Sequence, residues 1–132
     1  MRGFGAAAAV LLLAPALARA QEEWTQSKFD ARRSGNAADR DVEESLGLLA
    51  ALPTSDAILT SPVIARGKIY VVDASGKATC FDATTFKVVW EFQSRGGAAN
   101  CNNVSSPAVI GNYLHFGTMA GSWVVLDADR GT

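Results

Sequence analysis

From Ile58 onward the chain is a series of short apolar runs separated by turn signals. "SPVIA" is followed by "RGK", "KIYVVD" by "ASGK", "ATCFD" by "ATTFK", and "VVWEF" by the longer stretch "QSRGGAANCNNVS". Runs of this length, rich in Val, Ile, Tyr, Phe and Trp, predict four consecutive antiparallel strands. The glycines of "ARGK" and "ASGK" supply the positive φ that a tight hairpin needs. In "KIYVVD", Ile69 and Val71 point to one face and Tyr70 and Val72 to the other, so both faces are apolar. A sheet solvated on one side would alternate apolar with polar residues instead. The predicted sheet is therefore packed on both sides. Ahead of Ile58, residues 21–56 are polar and then mixed, with Trp24 and Phe29 as isolated aromatics, and suit a segment lying over a surface. Residues 46–52, "LGLLAAL", are ambiguous: Leu and Ala favour helix, yet the run is short and ends at Pro53.

The pattern repeats. Displaced by 45 residues, Ser61-Pro62 falls on Ser106-Pro107, Gly76 on Gly121 and Asp82-Ala83 on Asp127-Ala128. Between these landmarks Ile64 meets Val109, Ile69 meets Leu114, Val71 meets Phe116 and Phe81 meets Leu126. A period in the forties with four strands per unit is the signature of β-propeller blades. An inner strand with two apolar faces fits a blade packed between two neighbours. The first copy continues past its Asp-Ala turn into "KVVWEF", the outermost strand, whereas the second reaches only the turn "DADRGT". The expected fold is therefore all-β, a propeller of four-stranded antiparallel blades, incomplete at one whole blade and most of a second. A closed propeller takes about four to eight blades. The sequence thus reads as a fragment whose partners are the missing blades of the same parent chain, and its open blade faces should promote association. By spacing, residues 46–52 are a candidate ring-closing strand, extended rather than helical.

The first twenty residues are read apart from the fold. Met1 and Arg2 give a positive start, residues 4–14 are apolar and small, and Ala18-Arg19-Ala20 fits the small-x-small rule for cleavage ahead of Gln21. The apolar run is shorter than the about 20 residues that cross a bilayer. The expected organisation is a signal peptide over 1–20, an N-terminal segment over 21–57 carrying the candidate strand, and truncated blades over 58–132. An exported, periplasmic or extracellular location follows, with no membrane span in the mature chain. The full chain carries 12 Lys and Arg against 13 Asp and Glu; without Arg2 and Arg19 its net charge becomes −3. That mild acidity gives no electrostatic reason to expect nucleic acid or an anionic membrane as partner.

The stretch "SPVIARGKIYVVDASGKATCFDATTFKVVW" resembles the repeat of the pyrroloquinoline-quinone-like (PQQ-like) β-propellers, through Ser61-Pro62, Gly67, Ile69-Tyr70-Val71, Gly76, Phe81-Asp82-Ala83, Thr85 and Trp90. Trp24 followed by "DARRSG", residues 30–35, is similar to the opening segment of exported members. The resemblance implies that Trp90 docks one blade against the next, as its area would on physical grounds alone. One position departs from the pattern. The turn glycine, kept as Gly131 in the second copy, is Phe86 in the first. Phe at positive φ is strained, which predicts a changed turn type there.

Chemistry is sparse by comparison. The resemblance includes quinoprotein dehydrogenases, which use PQQ with a calcium ion, an Asp base, a stacking Trp and adjacent cysteines. Here there is no Cys-Cys pair and no Cys-x-x-Cys-His. No catalytic residue and no metal ligand is assigned, and the cofactor-binding residues and the cofactor itself stay unknown. His115 aligns with Tyr70 and reads as a packed strand residue. Asp82 and Asp127 recur at equivalent turns, where an Asp side chain caps backbone N–H groups. The stretch "RGGAANCNN" joins one blade to the next on the face where propellers usually bind ligands. Its Gly96, Gly97, Asn100, Asn102 and Asn103 form a candidate ligand-face loop. Cys80 and Cys101, the only cysteines, form a candidate disulfide in an exporting context. A buried free thiol at Cys80 is the rival, since Cys80 aligns with Val125. The functional expectation is an exported binding or scaffolding module with a protein partner. The alternative is the N-terminal piece of a PQQ-dependent alcohol or sugar dehydrogenase, and only there would PQQ and calcium be cofactors.

Overall fold

The computed structural model describes residues 23–37 and 46–132; the expected signal peptide, residues 1–20, lies outside the described residues. Seven strands follow in chain order: β1 (Val63–Ala65), β2 (Lys68–Val72), β3 (Lys77–Asp82), β4 (Val88–Gln93), β5 (Ala108–Ile110), β6 (Tyr113–Gly117) and β7 (Trp123–Asp127). They form two antiparallel meanders, a four-stranded sheet in the order β1-β2-β3-β4 and a three-stranded sheet in the order β5-β6-β7. The four strands predicted for the first copy are all present, whereas the candidate ring-closing strand over residues 46–52 is not formed. The only helix among the described residues is one 3₁₀ turn, Gly97–Asn100.

Side-chain alternation sets which faces meet. Val63 and Ala65 of β1, Tyr70 and Val72 of β2, Ala78 and Cys80 of β3 and Trp90 of β4 are buried on one face of the first sheet. They pack against Val109, Leu114, Phe116 and Leu126, which share one face of the second. The apolar core therefore lies between the sheets, as it does between consecutive blades. Tyr70, Val63, Val72, Leu114 and Phe116 are completely buried. Each such side chain contributes about 1.5–3 kcal/mol of transfer free energy, so this interface dominates the stability. The opposite face of the first sheet is covered in part: Ile69 and Val71 are half-buried and Ile64 is exposed. The opposite face of the second sheet leaves Ile110, Tyr113 and Val125 exposed.

β4 carries a bulge. Cys80 pairs with Trp90 and Phe81 with Val88, so Val89 is the extra residue. Bulges bend a strand and re-aim its side chains, and the next residue along is Trp90.

The N-terminal segment lies at the inner edge, against both sheets at once. Trp24 exchanges backbone hydrogen bonds with Ile64 of β1 at 2.6 and 2.8 Å, while the Thr25 carbonyl accepts the Val109 N–H of β5 at 2.7 Å. Residues 46–52 are neither helix nor strand, and Leu46, Leu48 and Leu49 are largely exposed. Phe86 departs from expectation. It keeps the turn type, with φ 59° against 73° at Gly131. The reason is the turn's own bonding. The Phe86 N–H donates to the Asp82 carbonyl at 2.9 Å, as Gly131 does to Asp127 at 2.8 Å. The Asp82 carboxylate also accepts from the backbone N–H groups of Thr84 and Thr85. These bonds hold the left-handed position whichever residue occupies it.

Candidate functional site

Two features occupy the junction of the sheets, a tryptophan seat and an asparagine hub; a polar cleft lies apart, against the second sheet. Trp90 leaves the first sheet and lies on the β7 turn of the second. Its indole N–H donates to the Ala128 carbonyl at 3.0 Å, and the Tyr70 hydroxyl donates to the same oxygen at 3.2 Å. The two rings are 6.0 Å apart and tilted by 46°, a favourable edge-biased geometry. Gly131 forms the floor of the seat, where an added Cβ would fall 2.6 Å from the Trp90 ring. Next to it lies a charged latch that the sequence did not announce. Arg66 and Lys68 both reach Asp129, at 2.8 and 2.7 Å, and Arg66 also donates to Asn112. The Lys68 ammonium, with Arg66 beside it, holds the Asp129 carboxyl below its ordinary range. Exposed pairs of this kind contribute about 0–1 kcal/mol, so the latch sets register while the apolar seat sets affinity. Arg66 and Asp129 are 63 residues apart, and only the fold brings them together.

The hub is Asn100. Its side chain is fully buried, and its amide nitrogen donates to Ser94 Oγ and to the Arg95 carbonyl, both at 2.9 Å. Its amide oxygen accepts the Ala120 N–H at 3.0 Å, tying the interblade loop to the β6–β7 turn. Gly96, at φ 132°, makes room for it: an added Cβ would fall 2.9 Å from the Asn100 amide and 2.8 Å from Ala120. Asn103 is also fully buried, with its backbone N–H given to Ala74 and neither side-chain amide atom hydrogen-bonded. Gly97 and Asn102 face solvent. Of the five candidate loop residues, Asn100 is thus an internal strut, Asn103 is buried and joined only through its backbone, and Gly97 and Asn102 present the surface.

The cysteines are not bonded: Cys80 is buried and Cys101 exposed, both as free thiols. The expected disulfide is corrected by where the loop is anchored. Asn100 rests against Gly76, and Ser94 bonds to Gly76, at the start of β3. Cys80 is four residues further along, about 13 Å at strand rise, whereas a disulfide requires Cα atoms within about 7 Å. Burial pushes the Cys80 thiol up to about 12, so it stays protonated and inert.

A cleft of about 450 Å³ lies between the N-terminal segment and the second sheet. It is lined by Gln26, Ser27 and Arg33 on one side and by Ser105, Ser106 and Trp123 on the other. Trp123 is 68% exposed, and its ring lies 6.1 Å from that of His115, tilted by 41°; His115 is half-buried on β6. The lining holds one cation and no carboxylate. Several carboxylates among the described residues serve structure. Asp73 accepts from Ser55, Ser75 and the Lys77 N–H, Asp82 caps its turn, and Asp127 caps the turn through Asp129 and Arg130. Among the described residues no three His, Cys, Asp or Glu side chains converge to hold a metal ion. Nor does any described helix have the length and apolarity to cross a membrane.

Comparison with known proteins agrees with this architecture. The PQQ-like repeat model described as outer membrane protein assembly factor BamB matches residues 48–132. No curated protein matches the chain. Similar solved structures include a europium-containing methanol dehydrogenase, at TM-score 0.51 and 20% identity, over 55% of this chain and 14% of that one. They also include the quinohemoprotein alcohol dehydrogenase ADHIIG from Pseudomonas putida HK5, at TM-score 0.49 and 22% identity, over 54% of this chain and 11% of that one. This chain thus spans a small part of the length of either enzyme, and at 20% identity the likeness to the methanol dehydrogenase is one of fold. With the repeat model covering both sheets and the meanders stacked as consecutive blades, the chain belongs to the PQQ-like repeat family of β-propellers.

Proposed function

We propose that this chain is an exported propeller module that binds or scaffolds a protein partner and works only with further blades around it. The observation that carries the reading is where its polar chemistry is placed. Asp82 and Asp127 cap turns and Asp129 serves the interblade latch, while the cleft beside Trp123 offers an arginine, an indole, hydroxyls and an amide without a competing carboxylate. Such a lining is suited to recognising a carboxylate-bearing chain rather than to proton transfer, which needs a base of its own within reach. Export is supported by the apolar residues 4–14 and the Ala18-Arg19-Ala20 sequence ahead of Gln21.

The test has three readouts on protein expressed in its own cell type. Amino-terminal sequencing of the extracytoplasmic fraction is expected to begin at Gln21. A photo-crosslinker at Ser27 or Arg33 is expected to give a discrete protein adduct, and one at the exposed Glu91 of β4 none. Addition of PQQ and calcium is expected to give no alcohol-dependent dye reduction. An uncleaved cytoplasmic chain, equal labelling at both positions, or quinone-dependent turnover would each overturn the proposal.

A further inference from the structure

Buried polar side chains gather where β2 turns into β3 and β4 ends. The Thr60 hydroxyl donates to the Val72 carbonyl at 2.6 Å, Asp73 accepts from Ser55 and Ser75, and Ser94 donates to the Gly76 carbonyl at 2.6 Å. Asn100 uses both ends of its amide. Asn103, fully buried, uses neither: among the described residues its Oδ1 and Nδ2 have no hydrogen-bond partner.

The repeat does not call for an amide at this place. Displaced by 45 residues, Asn103 falls on Ile58, an apolar side chain that is 42% exposed. Nor does the loop need the side chain to hold its course. The Asn103 backbone N–H already donates to the Ala74 carbonyl at 2.9 Å and to the Asn100 carbonyl at 3.1 Å. An interior amide left unpaired loses its hydration with nothing in return, and buried polar groups as a rule bond to protein or to ordered water.

The two unmet needs of one side chain narrow the choice of partner. Oδ1 needs a donor and Nδ2 an acceptor. A cation would serve Oδ1 and be repelled by the amide hydrogens, and an anion would serve Nδ2 and be repelled by Oδ1. A neutral group that donates and accepts serves the whole amide. Full burial selects the smallest such group, a water molecule. A buried water makes about three hydrogen bonds. The amide supplies two of them. The Ala74 and Asn100 carbonyls, which meet at the Asn103 N–H, each keep a second lone pair for the third.

We infer that Asn103 is the anchor of a buried-water site. One long-lived water donates to Oδ1, accepts from Nδ2 and ties the interblade loop to the β2–β3 turn. The loop then has a second polar tie besides Asn100, directly after Asn102, which faces solvent. Because Asn103 is already enclosed by the two blades, the site does not depend on what lies beyond them.

Magnetic relaxation dispersion of labelled water oxygen counts long-lived waters on the full chain without interference from hydroxyl protons. The wild type is expected to hold one more such water than Asn103→Leu, which keeps the size of the side chain and removes both polar atoms. The Asn103 side-chain amide protons are also expected to show a nuclear Overhauser effect to water with the sign of a bound, slowly tumbling molecule. That measurement uses the wild type alone, and decides the matter should Asn103→Leu fail to fold. Equal water counts in the two folded proteins, or amide protons without that effect, would overturn the inference.

Discussion

Gly131 has no room for a methyl group, and the physical content of the tryptophan seat follows from that. Gly131→Ala would place a side chain at φ 73° and press its Cβ to 2.6 Å from the Trp90 ring. Left-handed strain and overpacking together are expected to remove about 2–4 kcal/mol of stability in urea unfolding. Trp90→Ala relieves the collision, so the double variant should lose less than the two single losses added. Additive losses would show that ring and turn are not in contact. Asp73 has a different signature, one of pH. Its burial raises the carboxyl pKa, but hydrogen bonds from Ser55, Ser75 and the Lys77 N–H outweigh that and hold it below the ordinary range. A depressed folded value means the contribution is complete above the unfolded pKa of about 4 and is lost as pH falls through the folded one. Asp73→Asn keeps the shape but leaves those donors without a carboxylate, and is expected to cost about 1–3 kcal/mol at neutral pH. Below about pH 4 the variant's stability should fall less steeply than that of the wild type. It should not become flat, because Asp30, Asp82 and Asp129 are also depressed in the folded state.

Between elements, Asn100 matters more than any strand-to-strand contact beside it. It joins the end of β4, the interblade loop and the β6–β7 turn through three hydrogen bonds. Asn100→Ala leaves the part-buried Arg95 carbonyl and Ala120 N–H without this partner, and is expected to cost about 1–2 kcal/mol. Hydrogen exchange should show the Ala120 amide losing protection before the β2 and β3 amides do; equal loss across both sheets would contradict the hub. What sequence could and could not reveal divides along the same line. The strands were legible because Ile69, Tyr70, Val71 and their equivalents alternate between two apolar faces, a local signal. The blade pairing was legible through the 45-residue repeat and Trp90. The Phe86 turn was misjudged because residue preference was weighed without the Asp82 hydrogen bonds that fix the backbone. The Cys80–Cys101 bridge was misjudged because the anchoring of the loop at Gly76 is a tertiary fact. Arg66, Lys68 and Asp129 carry no sequence signal at all, since charges in three separate turns and strands become partners only through register. Asn100 and Asn103 were singled out as polar loop residues, but composition does not say whether an amide faces ligand or interior.

At the scale of the whole molecule, the position of the core decides how the chain must unfold. Most of the apolar core lies between the sheets, with Phe81 the large side chain buried on the first sheet's other face. Tyr70 and Val72 are buried because Leu114 and Phe116 cover that face, and the reverse holds equally. Separating the sheets would expose the faces carrying Val63, Tyr70, Val72, Cys80 and Trp90 on one side and Val109, Leu114, Phe116 and Leu126 on the other. At about 1.5–3 kcal/mol for each large side chain, that loss is as large as the about 5–15 kcal/mol that holds a typical domain folded. The hydrogen bonds across the inner edge, from Trp24 to Ile64 and from Val109 to Thr25, close the same unit from the other side. The two blades are therefore expected to unfold as one cooperative body, with far-UV circular dichroism and β6 hydrogen exchange giving the same urea midpoint. A peptide of residues 46–104, which keeps the complete four-stranded blade, is expected to give a coil spectrum and no cooperative transition. Adding residues 105–132 as a separate peptide should restore sheet signal in proportion to occupancy, since the second blade supplies the missing half of the core. A 46–104 peptide that melts cooperatively alone would show that one blade holds its own core, and would locate the stability within the sheet instead of between the two.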